Sequence, residues 1–286
     1  MILRSSFASK VLLILIFQIP LWSNEPFFVV LICSYNNEHL VADNLESVSI
    51  QTYKNYRIIY VDDSSTDKTS EKVNEFCSSH VNLPMTLITN ECRKYKLANM
   101  YLTINELCND NEIIVELDGD DCFLTPQVLE TLRKVYSSTD TWMTYGGFVT
   151  WPHHYKHLKT SPIPEAIINS NDFRNFYKTG YIFMALRSFY AWLFKSIEKE
   201  DLQENGCFFT CGSDIATMIP MFEMAGDRFY YLTEPVYLYN TATGINDFMR
   251  HPKGQKEVSS LVQKKPPYKK LTQRPPLERQ TQNLFL

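Results

Sequence analysis

Three aspartates stand close together near the middle of the chain, in the stretch Asp118-Gly119-Asp120-Asp121. Carboxylates this near to one another repel unless a cation neutralises them. Their oxygens are the hard ligands that Mg²⁺ or Mn²⁺ prefers, and Mg²⁺ keeps coordination positions for substrate phosphates. Asp118, Asp120 and Asp121 therefore predict a divalent-metal site that could bind a diphosphate and neutralise its charge as it leaves.

Two other polar clusters, Tyr35-Asn36 and Asp62-Asp63, follow predicted strands and suit a nucleotide base. The carboxylate of Asp63 could accept a hydrogen bond from a base N–H, and the ring of Tyr35 offers a face for stacking. Aspartate and asparagine are also common turn residues, so one such cluster alone has a purely structural interpretation. Neither G-x-G-x-x-G nor G-x-x-x-x-G-K-S/T follows the first strand, which counts against dinucleotide oxidoreductases and P-loop enzymes.

The elements that must position these groups alternate along the first half of the chain. Continuous apolar runs predict buried strands, and runs with helical spacing predict the helices between them. The predicted order is strand 27–33, helix 39–51, strand 57–61, a helix from 67, strand 85–89, helix 95–107, strand 112–117 and helix 126–137. This alternation is typical of a mostly parallel sheet, in which ligands bind beyond the carboxyl ends of the strands.

Composition and charge narrow the class of protein further. The 286 residues carry a net charge of −4 with 44% hydrophobic residues, which excludes a mostly disordered chain and argues against general nucleic-acid binding. The charge is uneven, because residues 264–286 alone carry a net +5 and four prolines. We expect a basic, proline-containing flexible tail over 251–286, either solvated or in contact with an anionic membrane.

The chain begins with basic residues and a short apolar run, Val11 to Trp22. Twelve residues are too few to span a bilayer comfortably, and the pattern resembles a secretory signal. We therefore predict that residues 1–24 are a signal peptide or an N-terminal anchor, with a buried helix as the alternative, and that the protein is exported or membrane-associated. The seven cysteines are odd in number and irregularly spaced, so they do not confirm an oxidising compartment.

Four motifs resemble those of family-two glycosyltransferases with the GT-A fold. They are, in order, Ser34-Tyr35-Asn36, the segment from Glu46-Ser47-Val48 to Gln51-Thr52-Tyr53, Val61 to Asp67 (VDDSSTD), and Leu117-Asp118-Gly119-Asp120-Asp121. The resemblance implies an α/β GT-A fold with a Rossmann-like nucleotide-binding half and a mostly parallel central sheet. It places that half at 25–137 and an acceptor-binding half of the same domain at 138–250.

The resemblance also implies roles for individual residues. Cys33 and Tyr35 would line the base pocket, although Thr or Pro is common in the family at position 33, and Asp63 would bind the base. Arg93, Lys94 and Lys96 could reach the diphosphate. The acidic triplet would hold Mn²⁺ or Mg²⁺ together with a nucleotide-sugar donor.

A general base is expected in the second half of the chain. Asp214 precedes a predicted helix over 215–224, where an aspartate is also a favoured cap. Similar enzymes place an acidic residue at the start of this helix, facing the acceptor, and inverting transfer needs a base for the acceptor hydroxyl. Asp214 is the predicted base, Glu223 is a poorer candidate, and His251 is an alternative metal ligand. Residues 186–197 are predicted to form an aromatic amphipathic helix.

The sequence thus predicts a metal-dependent, inverting glycosyltransferase that moves a sugar from a nucleoside diphosphate to an acceptor hydroxyl. The acceptor class, whether glycan, lipid or protein, stays open. One alternative is a sugar nucleotidyltransferase, although the glycine-rich basic loop that it would need is missing after the first strand. The other is a non-catalytic nucleotide- or carbohydrate-binding protein on the same fold.

Overall fold

The structure is a computed structural model that describes residues 25–152, 160–177, 185–243 and 252–274. Its strands are β1 Phe28–Ser34, β2 Tyr56–Asp62, β3 Met85–Thr89, β4 Ile113–Asp118, β5 Cys122–Phe123, β6 Met143–Trp151, β7 Arg187–Tyr190, β8 Gln203–Glu204, β9 Cys207–Phe208 and β10 Phe229–Asn240. Its helices are α1 Val41–Ser49, α2 Thr69–Ser79, α3 Tyr95–Leu107, α4 Val128–Ser138, α5 Glu165–Ser170, α6 Phe173–Phe176, α7 Ala191–Lys195, α8 Ser213–Ala225 and α9 Pro252–Lys264. The predictions for residues 1–24 and for His251 concern positions outside these ranges.

One eight-stranded sheet organises the molecule, in the order β3-β2-β1-β4-β7-β6-β10-β5. The first four of these strands are mutually parallel, while β7 and β5 run antiparallel to their neighbours. The apolar run of β1 is buried along nearly its whole length, so both faces of the sheet are covered at this strand. The predicted α/β fold with a mostly parallel central sheet is confirmed.

The segment 186–197 differs from its prediction as a single helix. Residues Arg187–Tyr190 form β7, which pairs antiparallel with β4, and only Ala191–Lys195 is helical. Every residue of β7 is buried, so side chains on both sides of the strand are covered. An apolar run of this kind does not distinguish a buried strand from a buried helix by its periodicity, and tertiary pairing decides.

The C-terminal segment is also more ordered than the predicted flexible tail. Residues Pro252–Lys264 form α9, whose Val258 and Val262 are buried against the rest of the protein. Residues 265–274 continue along the surface, where the Leu271 N–H donates to the carbonyl of Met224 at 2.9 Å. Within the described ranges, no helix combines the length and hydropathy needed to cross a bilayer.

Candidate active site

The carboxyl ends of three neighbouring strands bring the predicted site residues together. Strand β1 lies between β2 and β4, and Cys33 is the register partner of both Val61 and Asp118. Beyond the strand ends, the N–H of Asp63 donates to the carbonyl of Ser34 at 2.9 Å. Asp63 and Asp118 therefore flank the end of β1, as expected for ligand-binding groups in a parallel sheet. Cys33 lies between them, and burial raises the pKa of its thiol.

The turn from Asp118 to Asp121, called here the acidic turn, is fixed by close backbone packing. A Cβ atom on Gly119 would lie 2.5 Å from the Cβ of Ser34, so no side chain fits at this position. The side-chain amide of Asn44 donates to the carbonyls of both Asp118 and Asp121, at 2.9 and 2.7 Å. Helix α1 thereby holds both ends of the turn.

Asp121 is buried, and both of its carboxylate oxygens accept hydrogen bonds from β10. Its Oδ2 accepts a hydrogen bond from the hydroxyl of Tyr237 at 2.6 Å, and its Oδ1 accepts one from the N–H of Asn240 at 2.7 Å. Burial, together with the charges of Asp120 and Asp118, raises the pKa of Asp121. Sequence analysis missed Tyr237 and Asn240, because strand pairing alone brings β10 to the acidic turn.

Asp118 belongs to a compact group of charges, in which Glu116 and Arg187 are buried and Asp118 and Lys96 are partly exposed. Lys96 donates to Asp118 Oδ1, and its Nζ lies 3.3 Å from a carboxylate oxygen of Glu116. Arg187 Nε donates to Glu116 Oε2 at 3.1 Å, while Arg187 Nη2 lies 3.6 Å from Asp118 Oδ2. Burial opposes the ionised form of Asp118, but Lys96 and Arg187 outweigh it and lower the pKa of this carboxyl. Glu116 and Arg187 were not predicted as site residues.

Asp120 lies between the other two carboxylates of the acidic turn, and its surroundings also disfavour the ionised form. Its Oδ2 accepts a hydrogen bond from the hydroxyl of Thr243 at 3.1 Å. Burial, reinforced by the neighbouring charge of Asp118, raises the pKa of Asp120 to about 6. A carboxyl whose ionised form is disfavoured in this way gains stability from a nearby cation.

The residues present fit a divalent ion that relies on few protein ligands. In the described part of the chain, no three His, Cys, Asp or Glu side chains are gathered as ligands of one ion. Asp118 and Asp120 nevertheless offer carboxylate oxygens on one short turn, and Mg²⁺ typically takes one or two carboxylates and completes its shell with phosphate and water. Asp121 differs, because both of its oxygens accept hydrogen bonds from the protein.

The predicted base pocket is organised around Asp63, whose side chain is buried. Its Oδ1 accepts hydrogen bonds from the side-chain amide of Asn90 at 3.0 Å and the N–H of Lys94 at 2.8 Å. Its Oδ2 accepts a bond from the N–H of Tyr95 at 2.8 Å. Asp63 therefore fixes the loop before α3. It also lies where a nucleotide base is expected.

Arg93 lies in this pocket rather than beside the acidic turn. Its guanidinium carbon stands 3.7 Å from the ring centroid of Tyr35 and 4.7 Å from that of Tyr95. Its Nε is 3.8 Å from Asp63 Oδ2. Of the three residues predicted to reach the diphosphate, Lys96 is the one whose side chain contacts the acidic turn.

Asp214 lies in the first turn of α8, where the charged group around Asp118 acts on its carboxyl. Burial raises the pKa of its carboxyl, against the lowering influence of Arg187 and Lys96. The preceding Gly212 adopts a left-handed conformation with φ of 65°, which sets the direction in which the chain enters the helix. The predicted base and the predicted diphosphate site are therefore neighbours in space.

Glu223, the poorer candidate for the base, has a structural role. It is fully buried, and Arg174 donates to both of its carboxylate oxygens, at 2.6 and 2.9 Å. The N–H of Tyr268 also donates to Glu223 Oε2, at 2.9 Å. This ion pair joins α6, α8 and the C-terminal segment and holds Glu223 within the core.

Several motif residues hold the scaffold rather than a ligand. The side-chain amide of Gln51 donates to the carbonyls of Ser47 and Thr125, and its Oε1 accepts from the N–H of Leu129. Asp67 accepts from the N–H and hydroxyl of Thr69 at the start of α2. The motif pattern therefore combines residues that face the site with residues that fix the loops around it.

This arrangement agrees with the comparison with known families. The sequence model described as glycosyl transferase family 2 matches residues 29–200, more than half of the chain. This chain belongs to glycosyl transferase family 2. The match includes the predicted base pocket and the acidic turn of this family-2 glycosyltransferase and ends before Asp214.

Relatives of known name share part of this family-2 chain. The Escherichia coli protein WfgD, named UDP-Glc:alpha-D-GlcNAc-diphosphoundecaprenol beta-1,3-glucosyltransferase, is 30% identical over 115 residues, which are 40% of this chain and 43% of that protein. The chain matches less than half the length of its curated relatives.

Solved structures of glycosyltransferases share the GT-A fold of this family-2 chain. S. aureus TarS 1–349 in complex with UDP-GlcNAc has a TM-score of 0.59 at 15% identity, covering 82% of this chain and 65% of that one. The mannosyltransferase PcManGT of Pyrobaculum calidifontis, in complex with GDP-Man and Mn²⁺, has a TM-score of 0.52 at 19% identity, covering 76% and 57%.

Proposed function

We propose that this chain is a metal-dependent, inverting glycosyltransferase in which Asp214 is the general base. The donor is a nucleoside-diphosphate sugar, and the acceptor hydroxyl belongs to a lipid-linked saccharide. The acceptor class is carried over from the name of WfgD, and the donor class from that name and from the ligands of TarS and PcManGT. The observation that carries the proposal is that Lys96 and Arg187, the two cations beside Asp118, also act electrostatically on the carboxyl of Asp214.

The donor would lie across the carboxyl ends of β2, β1 and β4. Its base would occupy the pocket of Tyr35 and Asp63, and its diphosphate would extend to the acidic turn. Asp118 and Asp120 would hold Mn²⁺ or Mg²⁺, which supplies charge neutralisation for the leaving diphosphate. Asp121 keeps the turn in place through Tyr237 and Asn240.

The transfer itself is a single displacement. The acceptor oxygen attacks the anomeric carbon from the face opposite the diphosphate, and the bond between that carbon and the phosphate oxygen breaks. Asp214 takes the proton from the attacking hydroxyl, which prevents positive charge from building up on that oxygen. Because one displacement occurs, the configuration at the anomeric carbon inverts.

The test compares Asp214→Asn with Asp227→Asn in the full chain. Both substitutions replace one carboxylate by an amide, but Asp227 pairs on the surface with Lys270 at the opposite end of α8. The assay supplies UDP-Glc, UDP-GlcNAc or GDP-Man with Mn²⁺ and detergent-solubilised GlcNAc-diphosphoundecaprenol, and measures the glycosylated lipid.

Loss of the general base is expected to slow transfer about 10²–10⁴-fold. Calorimetry should find that Asp214→Asn binds the donor as tightly as the unmodified chain, and Asp227→Asn should transfer at the normal rate. Full transfer by Asp214→Asn would refute the role of this residue. Donor binding without transfer by any chain, the unmodified one included, would favour the non-catalytic alternative.

A further inference from the structure

Positive charge is concentrated in the last described segment of the chain. Residues 252–274 include seven Lys or Arg and a single acidic residue, Glu257, for a net charge of +6. Since the whole chain carries −4, the remaining residues carry −10. The protein is therefore strongly polarised between this segment and the rest.

Helix α9 is fixed to the body of the protein by its apolar side. Val258 and Val262, one turn apart, are 6% and 2% exposed. A Cβ atom on Gly212 would lie 3.2 Å from Val258 Cγ1, so this side of α9 packs directly on the start of α8. Arg174 also donates to the carbonyl of Val262.

The opposite side of α9 carries Lys253, Lys256 and Lys264, all exposed. At about 100° per residue, the three lysines fall within an arc of about 80° that is centred opposite the two valines. None of the three takes part in an ion pair among the described residues. We call these three lysines the basic face.

Local helix stability accounts for Lys264, which lies in the last turn of α9, but not for Lys253 and Lys256. Lys253 and Lys256 lie in the first turn or so of α9, where the helix dipole disfavours positive charge. Lysines that follow the helix behave differently, because Lys265 pairs with Asp201 and Lys270 with Asp227. The basic face thus remains uncompensated although the rest of the molecule is rich in acidic side chains.

The helix that carries the basic face lies next to the candidate site. Its helix packs against Gly212, which lies two residues before Asp214 at the start of α8. A surface that contacts the basic face would therefore lie on the side of the protein where α8 begins. A lipid-linked acceptor is itself confined to such a surface.

We propose that the basic face of α9 docks on an anionic lipid bilayer and thereby brings the Asp214 end of α8 to an acceptor held in that membrane. The inference rests on the proposed function for the identity of the acceptor. The docking surface itself is inferred from the charge of the three lysines and their position on α9. Juxtamembrane lysines gain binding energy from anionic headgroups, and salt screens this attraction. The acidic remainder of the chain would be repelled, which favours one orientation.

The experiment measures co-sedimentation of the full chain with phosphatidylcholine vesicles, with or without about 30% phosphatidylglycerol, as is usual for polybasic segments. The test variant is Lys253→Gln/Lys256→Gln/Lys264→Gln. At about fivefold per lysine, the triple variant should lose on the order of a hundredfold in partitioning to the anionic vesicles. High salt should weaken binding of the unmodified chain in the same direction.

The matched control is Lys54→Gln/Lys68→Gln/Lys72→Gln, which removes the same charge from exposed lysines of the nucleotide-binding half. It should bind anionic vesicles nearly as well as the unmodified chain, and thermal unfolding should show that both variants are folded. The uncharged vesicles report any contribution of the apolar run Val11–Trp22, which lies outside the described residues.

Equal binding to both vesicle types, or equal losses in both triple variants, would overturn the proposal. The assay contains neither donor nor acceptor, so its outcome is independent of sugar transfer. If Asp214→Asn transfers normally while the basic-face variant loses vesicle binding, the proposed function fails alone. If transfer requires Asp214 while vesicle binding ignores the basic face, the docking inference fails alone.

Discussion

Arg187 and Glu116 face each other on adjacent antiparallel strands, with Arg187 Nε 3.1 Å from Glu116 Oε2. The side chains are 8% and 4% exposed, so the pair is buried. The pair belongs to the core of the sheet and to the candidate site at once, because Arg187 Nη2 also lies 3.6 Å from Asp118 Oδ2. The fold and the site therefore depend on the same charges.

Removing one partner of this pair should destabilise the protein. Arg187→Met would leave Glu116 buried without its main cation, a situation that typically costs about 3–5 kcal/mol. In Glu116→Gln/Arg187→Met that buried charge is gone as well, so part of the loss should be recovered. Urea denaturation of both variants and the unmodified chain measures the difference. A double variant less stable than Arg187→Met would contradict this account.

Metal dependence should be measurable both in sugar transfer and in the thermal stability of the protein. Asp120→Ala removes a carboxylate whose ionised form its surroundings disfavour, and should abolish both transfer and the thermal shift that Mn²⁺ produces with UDP or GDP. Chelation by EDTA should have the same two effects on the unmodified chain. Asp227→Ala, an exposed carboxylate remote from the turn, is the control and should retain both. Transfer that survives both Asp120→Ala and EDTA would refute the prediction.

The aromatic face of Tyr35 should contribute to nucleotide affinity. Stacking of a base on an aromatic ring is worth about 1–3 kcal/mol, so Tyr35→Leu should weaken nucleotide binding about 5- to 150-fold. Tyr35→Phe keeps the ring and should bind normally, which makes it the matched control. Calorimetry with the nucleoside diphosphate measures both. Equal affinities for Tyr35→Leu and Tyr35→Phe would show that the ring is not a stacking surface.

The pH profile should report the environment of Asp214. A general base acts in its ionised form, so the rate falls as the pH drops through its pKa. Burial raises the pKa of Asp214, and the acid limb should therefore lie above the ordinary aspartate value of about 3.9. Arg187 lowers the pKa of this carboxyl, so Arg187→Met should move the limb to still higher pH. An acid limb that Arg187→Met leaves unchanged would show that Arg187 does not influence the titration of the general base.

Local patterns predict the secondary structure of the first half of the chain, residues 25–137, well. The strand 85–89 and the helix 95–107 have the predicted bounds, and the other predicted elements in this half shift by a few residues at their ends. Apolar runs of buried parallel strands and amphipathic helices are short-range signals, so tertiary context changes little. The run 186–197 lacks such a signal, because ten of its twelve residues are buried.

The sequence predicted only part of the charged group around Asp118, because Lys96 was among the predicted site residues whereas Glu116 and Arg187 were not. Asp63, Asp118 and Asp214 could be identified because motifs or a helix start mark them in the sequence. Glu116 and Arg187 are 71 residues apart, and only the antiparallel register of β4 and β7 makes them partners. The sequence offered one signal for these two residues: each is a charged residue within an apolar run.

The side-chain amide of Asn44 reaches the carbonyls of both Asp118 and Asp121, so it fastens the two ends of one short turn to a helix. The turn and α1 are thus expected to behave as one rigid part. Donors of different size cannot then be accommodated by sliding the aspartates along the sheet. We expect such adjustment to involve Lys96 and Thr243, which contact the turn from separate parts of the chain.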